Sequence, residues 1–344
     1  MMTIDTVDAV GTVLCHDLTR IVKDQVKETA FRKGHIVKPE DIEVLLSMGK
    51  TKLFVWDPGP GMLHENEAAE ALKNVCVSDG FIPSEVKEGR VTLAAATDGL
   101  FLVDLPRLEA ANDFDEIAVA TRQSGTPVAK GDSVAGIKIV PLAIHKDKIE
   151  QVRRRLGGRP LMEIRPWLGL KAAVAATGSE IFHGRIKDQF TPVVVEKLSR
   201  FGIDTPWRTV CDDKLESIVE AISRFRDNGA ELIICTGGMS VDPDDLTPGA
   251  IKASGAEVVS YGAPALPGAM FLVAYLGSVP VLGLPGCVMF GKRTIFDIIL
   301  PRLAAGLRVT RREIRNLGHG GLCLGCPTCV FPNCGFGRGW AYSM

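Results

Sequence analysis

The hydrophobic pattern changes character near residue 170. Before it, short β-rich runs (GTVLC, KLFVW, RVTLAAA, LFLVD, EIAVATR, AGIKIVPL) alternate with short helical patterns and Gly/Pro/Asp turns. That predicts an α+β region over residues 1–145, in one or two lobes. Within it, PEDIEVLLSMG has proline at its head, acids in its first turn and a terminating glycine, which predicts a helix near 39–48. Residues 146–168 turn basic and carry Gly-Gly and two prolines, as a helix followed by an inter-domain linker would. Their five arginines read as a solvated face.

Over 169–310 the pattern becomes regular: apolar strand, glycine turn, amphipathic helix, repeated. KAAVAA leads to TGSE, and TPVVVEKLSRFG runs from Pro192 to Gly202. DDKLESIVEAISRFRDNG sets Leu215, Ile218, Val219, Ile222 and Phe225 on one helical face. ELIICT, a helix in PGAIKASG, the strand AEVVS, a connecting stretch, VPVLGLPG and a helix from about 288 to 305 follow. The expected fold is α/β, a doubly wound, mostly parallel sheet with helices on both faces, preceded by the α+β region. Such sheets bind ligands beyond the carboxyl ends of their strands, so chemistry should lie in the strand-to-helix turns.

Three of those turns contain glycine: ATGSEI (176–181), CTGGMSVDPDD (235–245) and LPGCVMFGK (284–292). Glycine there permits positive φ and close backbone approach, as cradling a phosphate or a pterin requires. The candidate binding residues are Thr177, Gly178 and Ser179 in the first turn, Thr236, Gly237, Gly238, Ser240 and Thr247 in the second, and Pro285 and Gly286 in the third. Glu180, Asp188, Asp212 and Asp245 fall in or near the same turns, and several acids facing one crevice call for a divalent cation or raised pKa values. Asp213, three residues before Glu216, reads instead as a capping box for the 214–228 helix, leaving Asp212 to face the pocket. Taken singly, Asp242, Asp244 and Asp245 read equally well as turn or cap residues, and only their shared location favours a site.

GCVMFGKR (286–293) spells most of a nucleotide P-loop, but Arg293 stands where the Mg²⁺-binding hydroxyl belongs. The chain contains no GxGxxG opening a βαβ unit, no HExxH and no GxSxG, which removes support for dinucleotide dehydrogenase, zincin and α/β-hydrolase readings.

Composition narrows the setting. Forty Lys+Arg against forty-one Asp+Glu give a formal net charge of −1, with no polybasic or acidic block to draw nucleic acid or an anionic membrane. The N-terminus lacks a basic segment followed by an apolar one, and no apolar run approaches the ~18 residues of a membrane span. A cytoplasmic protein is expected. Five of its nine cysteines are scattered, but Cys323, Cys326, Cys329 and Cys334 crowd into a C-x2-C-x2-C-x4-C run within the 311–344 tail. Four closely spaced thiols in a reducing compartment are a metal-binding pattern, open between Zn²⁺ and [4Fe–4S].

On these motifs the second half resembles the molybdopterin-binding domain of molybdenum-cofactor biosynthesis proteins, in particular molybdopterin molybdotransferases of the MoeA and gephyrin type. TGSEI is similar to that family's TGDEL, and GRIKD to its G-x-I-x-D, matching Glu180 and Asp188. TGGMSVDPDDLT aligns without a gap to S-G-G-x-S-x-G-x-x-D-x-T, matching Gly237, Gly238, Ser240, Asp245 and Thr247, and GLPG matches part of LPGNP. AVGTVLCHDL, FRKGHIV and VAGIKIVPL fall in the order of the family's N-terminal region. The resemblance implies a pocket for molybdopterin or its adenylylated form, with acids helping to hold Mg²⁺ and molybdate while a pyrophosphate bond is cleaved. It also implies a homodimer and a client molybdoenzyme.

The chain departs from the family at KDQF, LPGCV and Asp242, and a cysteine tail replaces the C-terminal β-barrel. Those departures bear on molybdate insertion more than on pterin binding. The same domain occurs in CinA-type proteins that hydrolyse ADP-ribose-like pyrophosphates, so a metal-dependent pyrophosphatase is one alternative. A non-catalytic pterin-binding accessory or sensor is another.

Overall fold

A computed structural model of the chain describes residues 2–22, 26–55, 60–77 and 79–339. Trp56 of the KLFVW run and residues 340–344 of the cysteine-rich tail lie outside the described residues. Two compact units emerge, each built from several segments: 1–94, 106–121 and 133–162 in the first, 95–105, 122–132 and 163–344 in the second.

The first unit is α+β, as its alternating short runs predict. Its largest sheet has the order Phe81–Pro83, Arg90–Ala95, Ser133–Ile139, Ile117–Thr121, with Ser133–Ile139 antiparallel to both of its neighbours. Helix Glu65–Cys76 opens with a capping box between His64 and Glu67 and buries Ala68, Ala69, Leu72 and Cys76, the one-sided stripe expected of a helix on a core. The helix expected near 39–48 spans Asp41–Ser47, and the basic stretch forms a helix over Lys146–Arg155 with Arg153, Arg154 and Arg155 exposed.

The second unit is organised by six strands: β1 (Lys171–Thr177), β2 (Asp204–Cys211), β3 (Leu232–Thr236), β4 (Glu257–Tyr261), β5 (Leu272–Leu276) and β6 (Val279–Leu284). Their order is β2-β1-β3-β6-β5-β4. β1 pairs in parallel with β2 and β3, β3 in parallel with β6, and β5 runs antiparallel to β6 and β4. The sheet is mostly parallel, as expected. Two of its strands were not foreseen. β2 is an edge strand with Pro206 and alternating exposure, so no apolar run marks it. β5, in the supposed connecting stretch, is buried over most of its length and reads as apolar chain of unassigned type.

Alternate residues of β1 separate two cores. Ala172 and Val174 face Val194 and Leu198 of α1 (Phe190–Ser199) and Phe296 and Ile299 of α4 (Ile295–Ala304). Ala173 and Ala175 face Ile218, Ile222 and Phe225 of α2 (Leu215–Asp227) and Ile251 of α3 (Thr247–Ala253). Small side chains on the central strand let helices pack closely on both faces.

The single helix expected over 288–305 is two. Cys287–Phe290 forms one turn, Gly291 is extended (φ −73°, ψ 127°), and α4 begins afresh after Thr294. The break has a local cause: Thr294 and Asp297 form a capping box that fixes a new N-terminus. Among the described residues, no helix is long and apolar enough to cross a membrane.

Candidate functional site in the second unit

The sheet changes direction between β1 and β3, since β1 continues to β2 on one side and the chain then returns to place β3 on the other. The carboxyl ends of the two strands therefore flank a crevice, the usual ligand position of an open parallel sheet. Thr177 ends β1, Thr236 ends β3, and the two carboxyl ends are tied together. The Thr177 hydroxyl donates to the Thr236 carbonyl at 3.0 Å, and the Thr247 hydroxyl donates to the Gly237 carbonyl at 2.8 Å. The two hydroxyls, both buried, lie 3.3 Å apart.

The glycine pair is required by this knot. Gly237 (φ +85°) passes so close to β1 that a Cβ would stand 2.3 Å from the Thr177 carbonyl oxygen. At Gly238 (φ +55°) a Cβ would meet the Thr247 hydroxyl at 2.9 Å. Two successive left-handed residues without side chains bring backbone to the mouth of the crevice. The third turn is held in register alongside, because Thr236 pairs with Leu284, directly before buried Pro285 and exposed Gly286.

The first turn is anchored by two aspartates. The Ser179 amide donates to Asp213 Oδ2 at 2.7 Å and its hydroxyl to Asp212 Oδ1 at 2.5 Å. The capping box expected of Asp213 on α2 does not form. Lys214 is the N-cap of α2, without a side-chain cap bond, and the Asp213 carboxylate is spent on the start of the short Ser179–Phe182 helix. Asp212, expected to face the pocket unengaged, also binds Lys214 Nζ at 2.8 Å. The Lys214 ammonium and the Ser179 hydroxyl hold the Asp212 carboxyl down at about 2. A carboxyl lowered in the native state stabilises above its ordinary range, near 3.8, and that contribution is lost as pH falls toward about 2. A carbon-13 titration of Asp212 should accordingly show a midpoint near 2. A midpoint at the ordinary value would show that Lys214 does not hold it.

The other acids have local duties. Asp188 Oδ1 accepts from the amides of Phe190 (2.9 Å) and Thr191 (3.0 Å), securing the start of α1, and Asp188 lines an open cavity of about 590 Å³ with Thr191 and Arg208. Asp245 Oδ2 accepts from the Asp242 amide at 3.2 Å, closing the 242–245 turn, and Glu180 is exposed. Among the described residues, no three His, Cys, Asp or Glu are gathered as a metal ion would need.

Ser240 is exposed, and its loop is steadied by a residue that no motif marks: the Tyr261 hydroxyl, from edge strand β4, donates to the Met239 carbonyl at 3.2 Å. Burial and the nearby Asp245 carboxylate push the Tyr261 phenol up. Lys214 was likewise missed, although its place two residues after Asp212 was a usable signal.

The cysteines divide as their spacing suggests. Burial pushes the Cys235 thiol, on β3, up to about 12, which marks an inert core group. Cys323, Cys326, Cys329 and Cys334 all line one cavity beyond Lys292 and Arg293. Cys326 and Cys329 are exposed and the other two half-buried. The Phe331 amide, aided by the Arg293 guanidinium, holds the Cys329 thiol below its usual value. The P-loop resemblance ends here: Lys292 Nζ donates to the Pro327 carbonyl at 2.9 Å and Arg293 to Asp297 at 3.0 Å, both away from any phosphate cradle.

Residues 173–305 match the family model described as "Probable molybdopterin binding domain", and residues 3–57 match a domain of unknown function. A CinA-like protein of Mycobacterium avium is 30% identical over 77 residues, 22% of this chain and 18% of that one. The match to a CinA-like protein of Mycobacterium tuberculosis is 29% over 77 residues, so the chain spans under a fifth of the length of these curated relatives. Among solved structures, the molybdopterin biosynthesis enzyme MoaB of Thermus thermophilus is 19% identical, covering 40% of this chain and 97% of its own at a TM-score of 0.34. The CinA protein of Thermoplasma acidophilum is 20% identical, covering 34% and 88% at a TM-score of 0.30.

Proposed function

We propose that the second unit binds molybdopterin or its adenylylated form in the crevice between β1 and β3, as a protein of molybdenum-cofactor assembly. The observation that carries this reading is the Thr177–Gly237–Gly238–Thr247 knot at the point where the sheet changes direction. It lies within the segment that matches the molybdopterin-binding family model. Backbone N–H groups at glycine-rich strand ends suit the phosphate of such a ligand.

Holding the cofactor is better supported than turning it over. Asp188, Asp212 and Asp245 are each engaged by neighbouring amides, hydroxyls or Lys214. To hold Mg²⁺ for molybdate insertion, Asp212 would have to exchange the Lys214 ammonium for the ion. The reading is therefore of a binding protein that keeps the pterin and passes it to a client molybdoenzyme. Titration of the purified full chain with molybdopterin and with its adenylylated form should show saturable binding. Thr247→Val, which leaves the Gly237 carbonyl without its donor, should weaken it roughly tenfold. A folded protein that binds neither compound saturably overturns the reading.

The identity shared with CinA-like proteins favours a second reading, metal-dependent hydrolysis of an ADP-ribose-like pyrophosphate. It requires turnover of ADP-ribose by the wild type that is lost in Asp245→Ala.

A further inference from the structure

The cysteine-rich tail belongs to none of the chemistry at the crevice. Its chain is fastened to the second unit on either side of Leu322: the Leu266 amide donates to the Gly321 carbonyl at 2.7 Å, and the Cys323 amide to the Leu266 carbonyl at 2.8 Å. Lys292 adds its bond to the Pro327 carbonyl, and Arg293 lies 5.3 Å from the centroid of the Phe331 ring. The loop is thus held at several points while its four thiols share one cavity.

Two metal chemistries are open to a four-cysteine run, and they differ in the room they need. In a structural zinc site four sulfurs close on one ion at about 2.3 Å, leaving no room between them. Here the four cysteines line a space of about 220 Å³, far above the ~10–15 Å³ that admits one water. The cavity that the four cysteines share has room for a group of several atoms. The spacing agrees: the first three cysteines have the C-x2-C-x2-C intervals that wrap an iron–sulfur cluster. The fourth, Cys334, follows after four residues and opens onto the same cavity, within reach as a further ligand.

The surroundings suit such a group. A cluster held by four thiolates carries net negative charge, and Lys292 and Arg293 both line the cavity. Arg293 Nε is buried with no hydrogen-bond partner among the described residues, a donor suited to a cluster or cysteinyl sulfur. Leu322, Leu324, Val330 and Phe331 add apolar wall that limits water at the metal.

We propose that Cys323, Cys326, Cys329 and Cys334 hold one [4Fe–4S] cluster, the four thiols losing their protons to solvent as they bind iron. This inference is independent of pterin binding. Full-length protein purified without oxygen should contain about four iron and four acid-labile sulfide per chain, with visible absorption that dithionite bleaches. Cys329→Ala should lower the iron and sulfide content at least twofold, whereas Cys15→Ser, in the first unit, should leave it unchanged. Stoichiometric zinc without sulfide would falsify the proposal. So would failure of the folded chain to take up iron and sulfide on anaerobic reconstitution, or full iron retention when all four cysteines are replaced by serine.

Discussion

Asp297→Ala is expected to destabilise the second unit by about 3–5 kcal/mol, the cost of leaving a buried charge without its partner. Lys197 Nζ, on α1, lies 2.7 Å from both carboxylate oxygens of Asp297, on α4, and both side chains are buried. The same carboxylate takes the Thr294 amide at 2.8 Å and Arg293 at 3.0 Å, so its removal also strips the cap from α4. Urea denaturation of the full chain measures the loss. The double variant Lys197→Met, Asp297→Leu should recover the part due to the unpaired Lys197 charge but not the part due to the Thr294 amide and Arg293, which still lack their acceptor. A single variant within about 1 kcal/mol of wild type would show that the pair is not buried in solution.

Gly237→Ala should cost about 2–5 kcal/mol, combining left-handed strain with the clash against β1. Gly229→Ala supplies the control. Its φ is +86° against +85° at Gly237, but a Cβ there would meet nothing within 4 Å. It should cost only the conformational part, about 1–2 kcal/mol. The difference between the two variants isolates the close approach of the second turn to Thr177. The pterin affinity proposed for the second unit should fall in Gly237→Ala and hold in Gly229→Ala. Equal losses of stability would mean that the two strand ends are not in contact.

The legible parts of the chain are those whose pattern is local. Ile218, Ile222 and Phe225 mark the buried face of α2, and glycine at the ends of β1, β3 and β6 marks the turns that form the crevice. Polar side chains with two eligible partners were not legible. Asp213 could cap α2 or the Ser179 turn, three residues away in one direction and thirty-four in the other. It caps the latter because the parallel pairing of β1 with β2 brings Thr177 opposite Cys211 and so sets the two turns side by side. Thr294 and Asp297 spelled a capping box within the supposed 288–305 helix, and reading it would have placed the break correctly.

By itself, the sequence determined the alternation of strand and helix, the glycine turns and the four-cysteine run. Each is fixed by backbone conformation or by residue type over a few positions. Only the tertiary structure decided which hydroxyl meets which carbonyl, that Asp212 is held by Ser179 and Lys214, and that four thiols open onto one cavity. Those facts depend on strand order and on the burial it imposes. A hydrogen bond or charge pair across tens of residues leaves no periodicity along the chain, because its partner is chosen by packing.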